Sequence, residues 1–348
     1  GHELLVHTAA ATARRVSVLV LAHPDETIPL VDREAWLAET FEDFSNVTVA
    51  GGMDPHPIDY DEPTVWDLHV REFRAVLGTV TDEPVTAVYS SEAYGDELAR
   101  RFDARHVPVD PDRALVPMSS TAVRRDPVAC WEQLPRAVRG GLARRVVVVG
   151  AESTGTTTVS RALTDALRAR GGAHGLTRWV PEHGRAATVT KLAEARARAA
   201  LARDAPPDAA DLHWPTEEFE AIAAEQNRLE DVLAREGGPV LVCDTDAFAT
   251  AIWHERYVGH RSPAVESLGR HHPLYLLTHH EGVPFEQDGM RDGEHIRTWM
   301  TGRFEETLAE TGRRFVVLHG SIRERVDRAM EAVDELLAAG WGVEGHQL

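Results

Sequence analysis

Apolar residues along this chain fall into short runs, separated by longer stretches with helical spacing. Val16-Ser-Val-Leu-Val-Leu-Ala22 reads as a buried strand, and Asn46–Ala50, Ala87–Tyr89 and Arg105–Asp110 read as three more. Between them, Arg33 to Phe44 and Thr64 to Leu77 have helical spacing, with Trp36 inward on the first and Trp66 carried by the second. A helix-like segment starts near His2, and Ser119 to Arg124 opens another that Asp126-Pro127 closes. A second series of apolar runs follows at Val146–Val149, Arg178–Val180, Val240–Cys243, Leu274–Leu277 and Phe315–Leu318. Glu218 to Arg235 and Ile322 to Ala339 read as its helices, while Ala195 to Ala210 reads as a helix end and a loop. Strands alternating with helices predict an α/β chain of two doubly wound parallel-sheet domains. Gly140-Gly141 interrupts the pattern, so the domains are expected at 1–140 and 144–348. In such sheets ligands bind beyond the carboxyl ends of the strands.

Charge narrows the function. The formal net charge is −19, which argues against a general nucleic-acid or anionic-membrane binder. No apolar run approaches the length of a membrane span. Cys130 and Cys243 are the only cysteines, far apart and without metal-ligand spacing. A cytoplasmic protein without disulfides is the expectation. Nothing in the sequence fixes the oligomeric state, and a homo-oligomer stays open. Lys191 is the only lysine, so positive charge is almost all arginine. The 18 histidines lack zinc-ligand spacing. His271-His272 and His279-His280 therefore read as solvated ends of the strand between them.

The central stretch runs Val146-Val-Val-Val-Gly-Ala-Glu-Ser-Thr-Gly-Thr-Thr-Thr158. A β-branched strand enters a loop bounded by Gly150 and Gly155, and a helix follows. This is the context of a phosphate-binding loop. Loop amides and a helix N-terminus together make an anion site. The lysine that usually follows the second glycine is Thr156 here, and Thr157 and Thr158 offer hydroxyls where a Mg²⁺ ligand belongs. An ordinary βα turn is the alternative reading of this stretch taken alone.

Several separate stretches resemble one family, the bifunctional nicotinamide-mononucleotide adenylyltransferase/ribosylnicotinamide kinases, or NadR family. Gly1-His2 with Leu4-Leu5 resembles the end of an HxGH motif. Ser90-Ser-Glu-Ala-Tyr-Gly95 and Ser119-Ser-Thr-Ala-Val-Arg124 resemble the family's SSE-x-YG and S-x-T-x-I-R signatures. Gly150–Thr158 resembles its GAES-x-G-K-[ST]-T loop. Pro181-Glu-His-Gly-Arg185, Cys243-Asp-Thr-Asp246 with Thr250 and Trp253, and Asp288-Gly-Met-Arg-Asp-Gly293 complete the series. The first His of HxGH and its strand would precede Gly1, and the resemblance leads to the expectation of an upstream Pro-x-His strand. No repressor role is expected.

The resemblance implies ATP and Mg²⁺ as cofactors, and ribosylnicotinamide and its mononucleotide as substrates. For the first domain it implies that His2, at a helix start, acts on phosphate oxygens together with the helix dipole. Ser119, Ser120, Thr121 and Arg124 would hold the outer phosphates; a plain helix cap is the alternative. Trp36 and Trp66 are candidates to stack on nicotinamide, although a core or surface place is the commoner use of tryptophan. For the second domain, Gly150, Ser153, Thr154, Gly155, Thr156, Thr157 and Thr158 would bind ATP. Thr157 would ligate Mg²⁺ and Asp244 a metal-bound water, and Glu182 would accept the proton of a ribose 5′-hydroxyl. Arg185, Arg291 and Arg297 would surround the transferred phosphate, with Asp246 toward substrate and Asp288–Gly293 as a lid. Two further readings stay open: a nucleotide sensor that binds without turnover, and a single-activity P-loop kinase or ATPase with an inactive first domain.

Overall fold

Seven residues, all apolar but Ser17, make the first strand, β1 (Val16–Ala22), which pairs in parallel with β2 (Val47–Met53) from Val16 opposite Val47 to Ala22 opposite Met53. This computed structural model describes residues 1–59, 61–288, 291 and 293–343. The chain divides into two units, Gly1–Gly141 with Trp341–Leu348, and Leu142–Gly340. β2 runs on through Gly51-Gly52 to Met53, past the point where the apolar run ends. Gly52 is required by packing, since a Cβ there would come within 2.3 Å of a Val76 methyl. That close approach seats the helix Pro63–Leu77 on the strand. Pro63 at the first position and the Glu62 carboxylate on Thr64 N–H start that helix.

In the same unit β3 (Ala87–Ser90) and β4 (Arg105–Pro108) form a second parallel pair. The helix His2–Thr12 is tied down at its end by Asn46 Nδ2, which donates to the carbonyls of Ala10 and Ala13. Trp66 is buried in the core, near Tyr94 and beneath the Arg101 guanidinium. Trp36 is half-buried, and its ring packs on Gly141, where a Cβ would sit 2.2 Å from it. The two tryptophans proposed as stacking platforms are thus used for packing.

The second unit holds β5 (Arg144–Gly150), β6 (Arg178–Val180), β7 (Val240–Asp244), β8 (Leu274–Thr278) and β9 (Phe315–Leu318), all parallel, in the order β6-β7-β5-β8-β9. β7 and β8 are buried along their whole length, as unbroken apolar runs covered on both faces should be. The helix Thr156–Arg168 lays Val159, Leu163 and Leu167 on the sheet beside Ala329, Val333 and Leu336 of the helix Ile322–Ala338. Each such leucine contributes about 2–5 kcal/mol by the cost of its truncation to alanine. The chain leaves β5 toward one side of the sheet and later fills the other. The carboxyl end of β5 is therefore the switch point where a crevice opens. Among the described residues, no helix is long and apolar enough to cross a membrane.

Candidate active site

At the end of β5 the chain makes a tight loop before entering the helix at Thr156. Gly155 has φ +89°, and even Ser153 has a positive φ of 57°. A serine held in the left-handed region costs free energy that the surroundings must offset. Here they do: Ser153 Oγ accepts the Glu286 N–H at 2.7 Å and its carbonyl accepts from Arg297 at 3.0 Å. Gly150 is required by space, because a Cβ would lie 2.3 Å from Thr278 Oγ1. Thr154 anchors the loop from below, bonding Ala151 O and Thr278 Oγ1, both at 2.7 Å.

Gly150, Ser153, Thr156 and Thr157 line one pocket together with Glu182, Arg185 and Arg291. Asp244 closes β7 beside it, and its Oδ2 accepts the Thr157 hydroxyl at 2.6 Å. Burial raises the Asp244 carboxyl to about 6, against the pull of the Thr157 and Thr156 hydroxyls. Oδ1 of Asp244 is buried without a well-formed hydrogen bond. A hydroxyl and a carboxylate with a spare buried oxygen fit Mg²⁺, which takes oxygen ligands. Glu182 is raised further, to about 7, by burial first and then by the charge of Asp244, with Arg185 and Arg291 opposing. Proximity of two carboxyls in a desolvated place is what keeps one protonated near neutrality.

A segment after β8 leans over this loop. Arg291 Nη1 donates to Ser153 Oγ at 3.3 Å and to Glu286 O at 2.9 Å. Arg185 pairs with Asp288 at 2.6 Å. Glu152 accepts the Gly293 N–H at 2.6 Å with one oxygen and Arg256 at 2.9 Å with the other. The loop thus holds the segment through its own acidic residue. Gly289, Met290 and Asp292 of the expected lid lie outside the described residues.

The expected site residues Asp246, Arg297 and Thr158, like Thr154, lie outside the pocket lining. Asp246 is fully buried and caps the helix Ala247–Val258 through Ala249 N–H, while Tyr275 donates to its other oxygen at 2.8 Å. Those partners turn it inward, so it shapes the strand end. Arg297 is buried and spends its guanidinium on the carbonyls of Val283, Ser153 and His280. It braces the loop. Thr158 is exposed on the first turn of the helix.

Sequence reasoning passed over the aromatic wall opposite the loop. Trp214, Phe219 and Tyr257 join Trp253 in lining the pocket. The Trp253 and Tyr257 rings stack at 6.3 Å and 23°. Trp253 and Tyr257 sit four apart on one helix, a spacing visible in the sequence, but Trp214 lies beyond another loop.

In the first unit, Ser119 caps Ser120–Arg125 by accepting Ala122 N–H at 3.1 Å. Ser120 and Thr121 are exposed and Arg124 is half-buried. The helix at His2 starts nearby, since a Cβ on Gly1 would lie 3.9 Å from Met118 O. His2 has accessible surface, yet partial desolvation lowers its pKa, and the amino terminus, Arg33 and Arg113 push the same way. Arg33 and Arg113 are thus further cations around this helix start. Their positions, far apart in the chain, gave no sequence signal.

Comparison with known proteins agrees with this architecture. The trifunctional NAD biosynthesis/regulator protein NadR of Salmonella typhimurium is 26% identical over 314 residues, spanning 88% of this chain and 70% of that protein. The protein of the same name from Escherichia coli K12 is 26% identical over 319 residues, spanning 89% and 70%. Two crystal structures of NadR protein, one in complex with NAD and AMP-PNP and one in complex with NR, share the fold at 20% identity. Their TM-scores are 0.66 and 0.67, over 100% of this chain and 94% of each. The chain is therefore a distant relative of NadR over most of its length. Residues 145–325 match a family model described as an AAA domain, and with more than half of its length inside that match the chain belongs to the AAA domain family.

Proposed function

We propose that the protein acts in NAD synthesis and salvage, with the second unit as a ribosylnicotinamide kinase and the first as a nicotinamide-mononucleotide adenylyltransferase. The observation that carries this reading is one pocket that combines a phosphate loop, a carboxyl pushed up to about 7 by burial and an aromatic wall. Trp253, Tyr257, Trp214 and Phe219 take the planar ring of a nucleoside. Glu182 accepts the proton of the ribose 5′-hydroxyl, because its pKa lies near the working pH. Loop amides and the helix N-terminus at Thr156 hold the ATP phosphates. Thr157 and Asp244 would hold Mg²⁺, which would offset the charge of the outer phosphates. Arg291 and Arg185 supply the positive charge that Thr156 lacks.

In the first unit, Arg124 and Thr121 with the His2 helix start would stabilise the pyrophosphate leaving group, the electrostatic task of adenylyl transfer. Incubation of the protein with Mg-ATP and a panel of nucleosides, with products separated, tests the reading. Preferential phosphorylation of ribosylnicotinamide supports it, and equal turnover of every nucleoside, or of none, counts against it. One observation favours a second reading, a nucleotide sensor without turnover: the loop position next to Gly155 carries only the Thr156 hydroxyl.

A further inference from the structure

Among the described residues, one group of three His or carboxylate side chains, His279, Glu281 and His319, brings its donor atoms within 4.8 Å of one another. We propose that these three form a site for a zinc-class divalent cation at the carboxyl edge of β8 and β9, separate from the Thr157–Asp244 place for Mg²⁺.

The sheet builds the arrangement. His279 follows Thr278, the last residue of β8, and His319 follows Leu318, the last of β9. Thr278 and Leu318 are register partners, and His279 N–H donates to Leu318 O at 3.1 Å. The two imidazoles therefore leave adjacent strands side by side, with ring centroids 4.5 Å apart. Glu281 comes from the turn after β8, and its carboxylate lies 3.8 Å from His279 Nδ1. Donors around a tetrahedral zinc ion are about 3.3–3.6 Å apart, given bonds of about 2.0–2.2 Å. The group is thus slightly open, and His279 Nδ1 accepts the Glu281 N–H at 3.2 Å, a local bond that a cation at that nitrogen would replace. Glu281 and His319 are exposed.

Neighbouring histidine His280 is excluded as a ligand by its own bonds, Nδ1 to Thr301 Oγ1 at 3.0 Å and Nε2 to Thr298 Oγ1 at 3.2 Å. Two imidazoles and one carboxylate suit zinc and its first-row neighbours, whereas Mg²⁺ prefers an all-oxygen shell. Three protein ligands leave a coordination position for water or a small ligand. The backbone beneath is fixed by Arg325, which donates to the carbonyls of His279, Thr154 and Gly320 at 2.8, 2.8 and 2.9 Å. One guanidinium thereby joins the strand end that carries the site to the phosphate loop.

The test uses the full chain, stripped with a chelator and kept in excess Mg²⁺ so that the carboxylate–hydroxyl place is filled. Zn²⁺ is titrated by calorimetry, and Co²⁺ by its visible absorption. The expected result is tight binding of Zn²⁺ at one site that is weakened about tenfold or more in His319→Ala and in Glu281→Gln. Co²⁺ should give the intense visible bands of a four-coordinate ion. Both changes are at exposed positions, and circular dichroism checks their folding. Should one variant misfold, the other and the Co²⁺ spectrum of the parent still decide. Binding unchanged in both variants, no tight Zn²⁺ binding to the parent, or a six-coordinate Co²⁺ spectrum overturns the proposal.

Discussion

Arg291 Nη1 lies 3.3 Å from Ser153 Oγ, which brings a guanidinium onto the phosphate loop three residues before the uncharged Thr156. Arg291 also contacts Asp288 and Glu286 at 3.5 and 3.6 Å, so its charge is shared until phosphate competes for it. Its contribution should therefore appear as the segment closes on a nucleotide. Arg291→Ala is expected to lower the kcat of phosphoryl transfer about 100-fold, with a smaller change in ATP affinity. Adding Thr156→Lys should restore part of the loss. Steady-state kinetics of the two variants checks both statements.

Backbone conformation gives the second prediction. Gly155 sits at φ +89° at the mouth of the loop. A valine there is strained in the left-handed region and would distort the loop that offers its amides to phosphate. Gly155→Val should abolish phosphoryl transfer while adenylyl transfer by the first unit persists. Parallel loss of both activities would mean that the change unfolds the chain, and retention of the kinase would reduce the loop to a turn.

Glu182 makes the site sensitive to pH. Its carboxyl is raised from 4.5 to about 7 by burial and by Asp244. As the proton acceptor it must be ionised, so kcat/KM for phosphoryl transfer should rise with pH through about 7. Glu182→Gln should remove that rise and lower the rate by about 10²–10⁴-fold. Stability runs in the opposite sense. A raised carboxyl favours the folded state fully below 4.5 and loses that contribution as pH rises through about 7. The glutamine variant should thus melt higher than the parent at about pH 8 and no higher at about pH 4. Melting curves at the two values decide.

Much of the α/β order was legible in the sequence because strands in a covered parallel sheet are unbroken apolar runs. Val240–Cys243 and Leu274–Leu277 each fell one residue short of the strand seen, since Asp244 and Thr278 end it with polar side chains. Gly51-Gly52 hid the end of β2 for a different reason: glycine reads as a break, and the packing of Val76 that demands it is a tertiary contact. The phosphate loop could be placed from two glycines. The direction of Asp246 could not, because Tyr275, which holds it inward, lies 29 residues away. Trp214 and the Glu152–Arg256 pair were hidden likewise by distance along the chain.

The aromatic wall predicts where substrate specificity resides. Trp253→Ala should raise the KM for ribosylnicotinamide about tenfold or more, with little effect on the KM for ATP. Equal effects on the two constants would place the nucleoside elsewhere.

Arg124 separates the two activities. Arg124→Ala should lower adenylyl transfer at least about tenfold by removing charge from the leaving pyrophosphate, and should leave phosphoryl transfer unchanged. Product analysis with nicotinamide mononucleotide and with ribosylnicotinamide as separate acceptors reads both.

The most direct measurement is a single-turnover reaction of the unaltered protein with Mg-ATP and ribosylnicotinamide, quenched and resolved by chromatography. Formation of nicotinamide mononucleotide and ADP in equal amounts, abolished by Gly155→Val, is the predicted result. No phosphoryl transfer by the unaltered protein, together with its appearance in Thr156→Lys alone, would contradict the account and make the second unit a sensor.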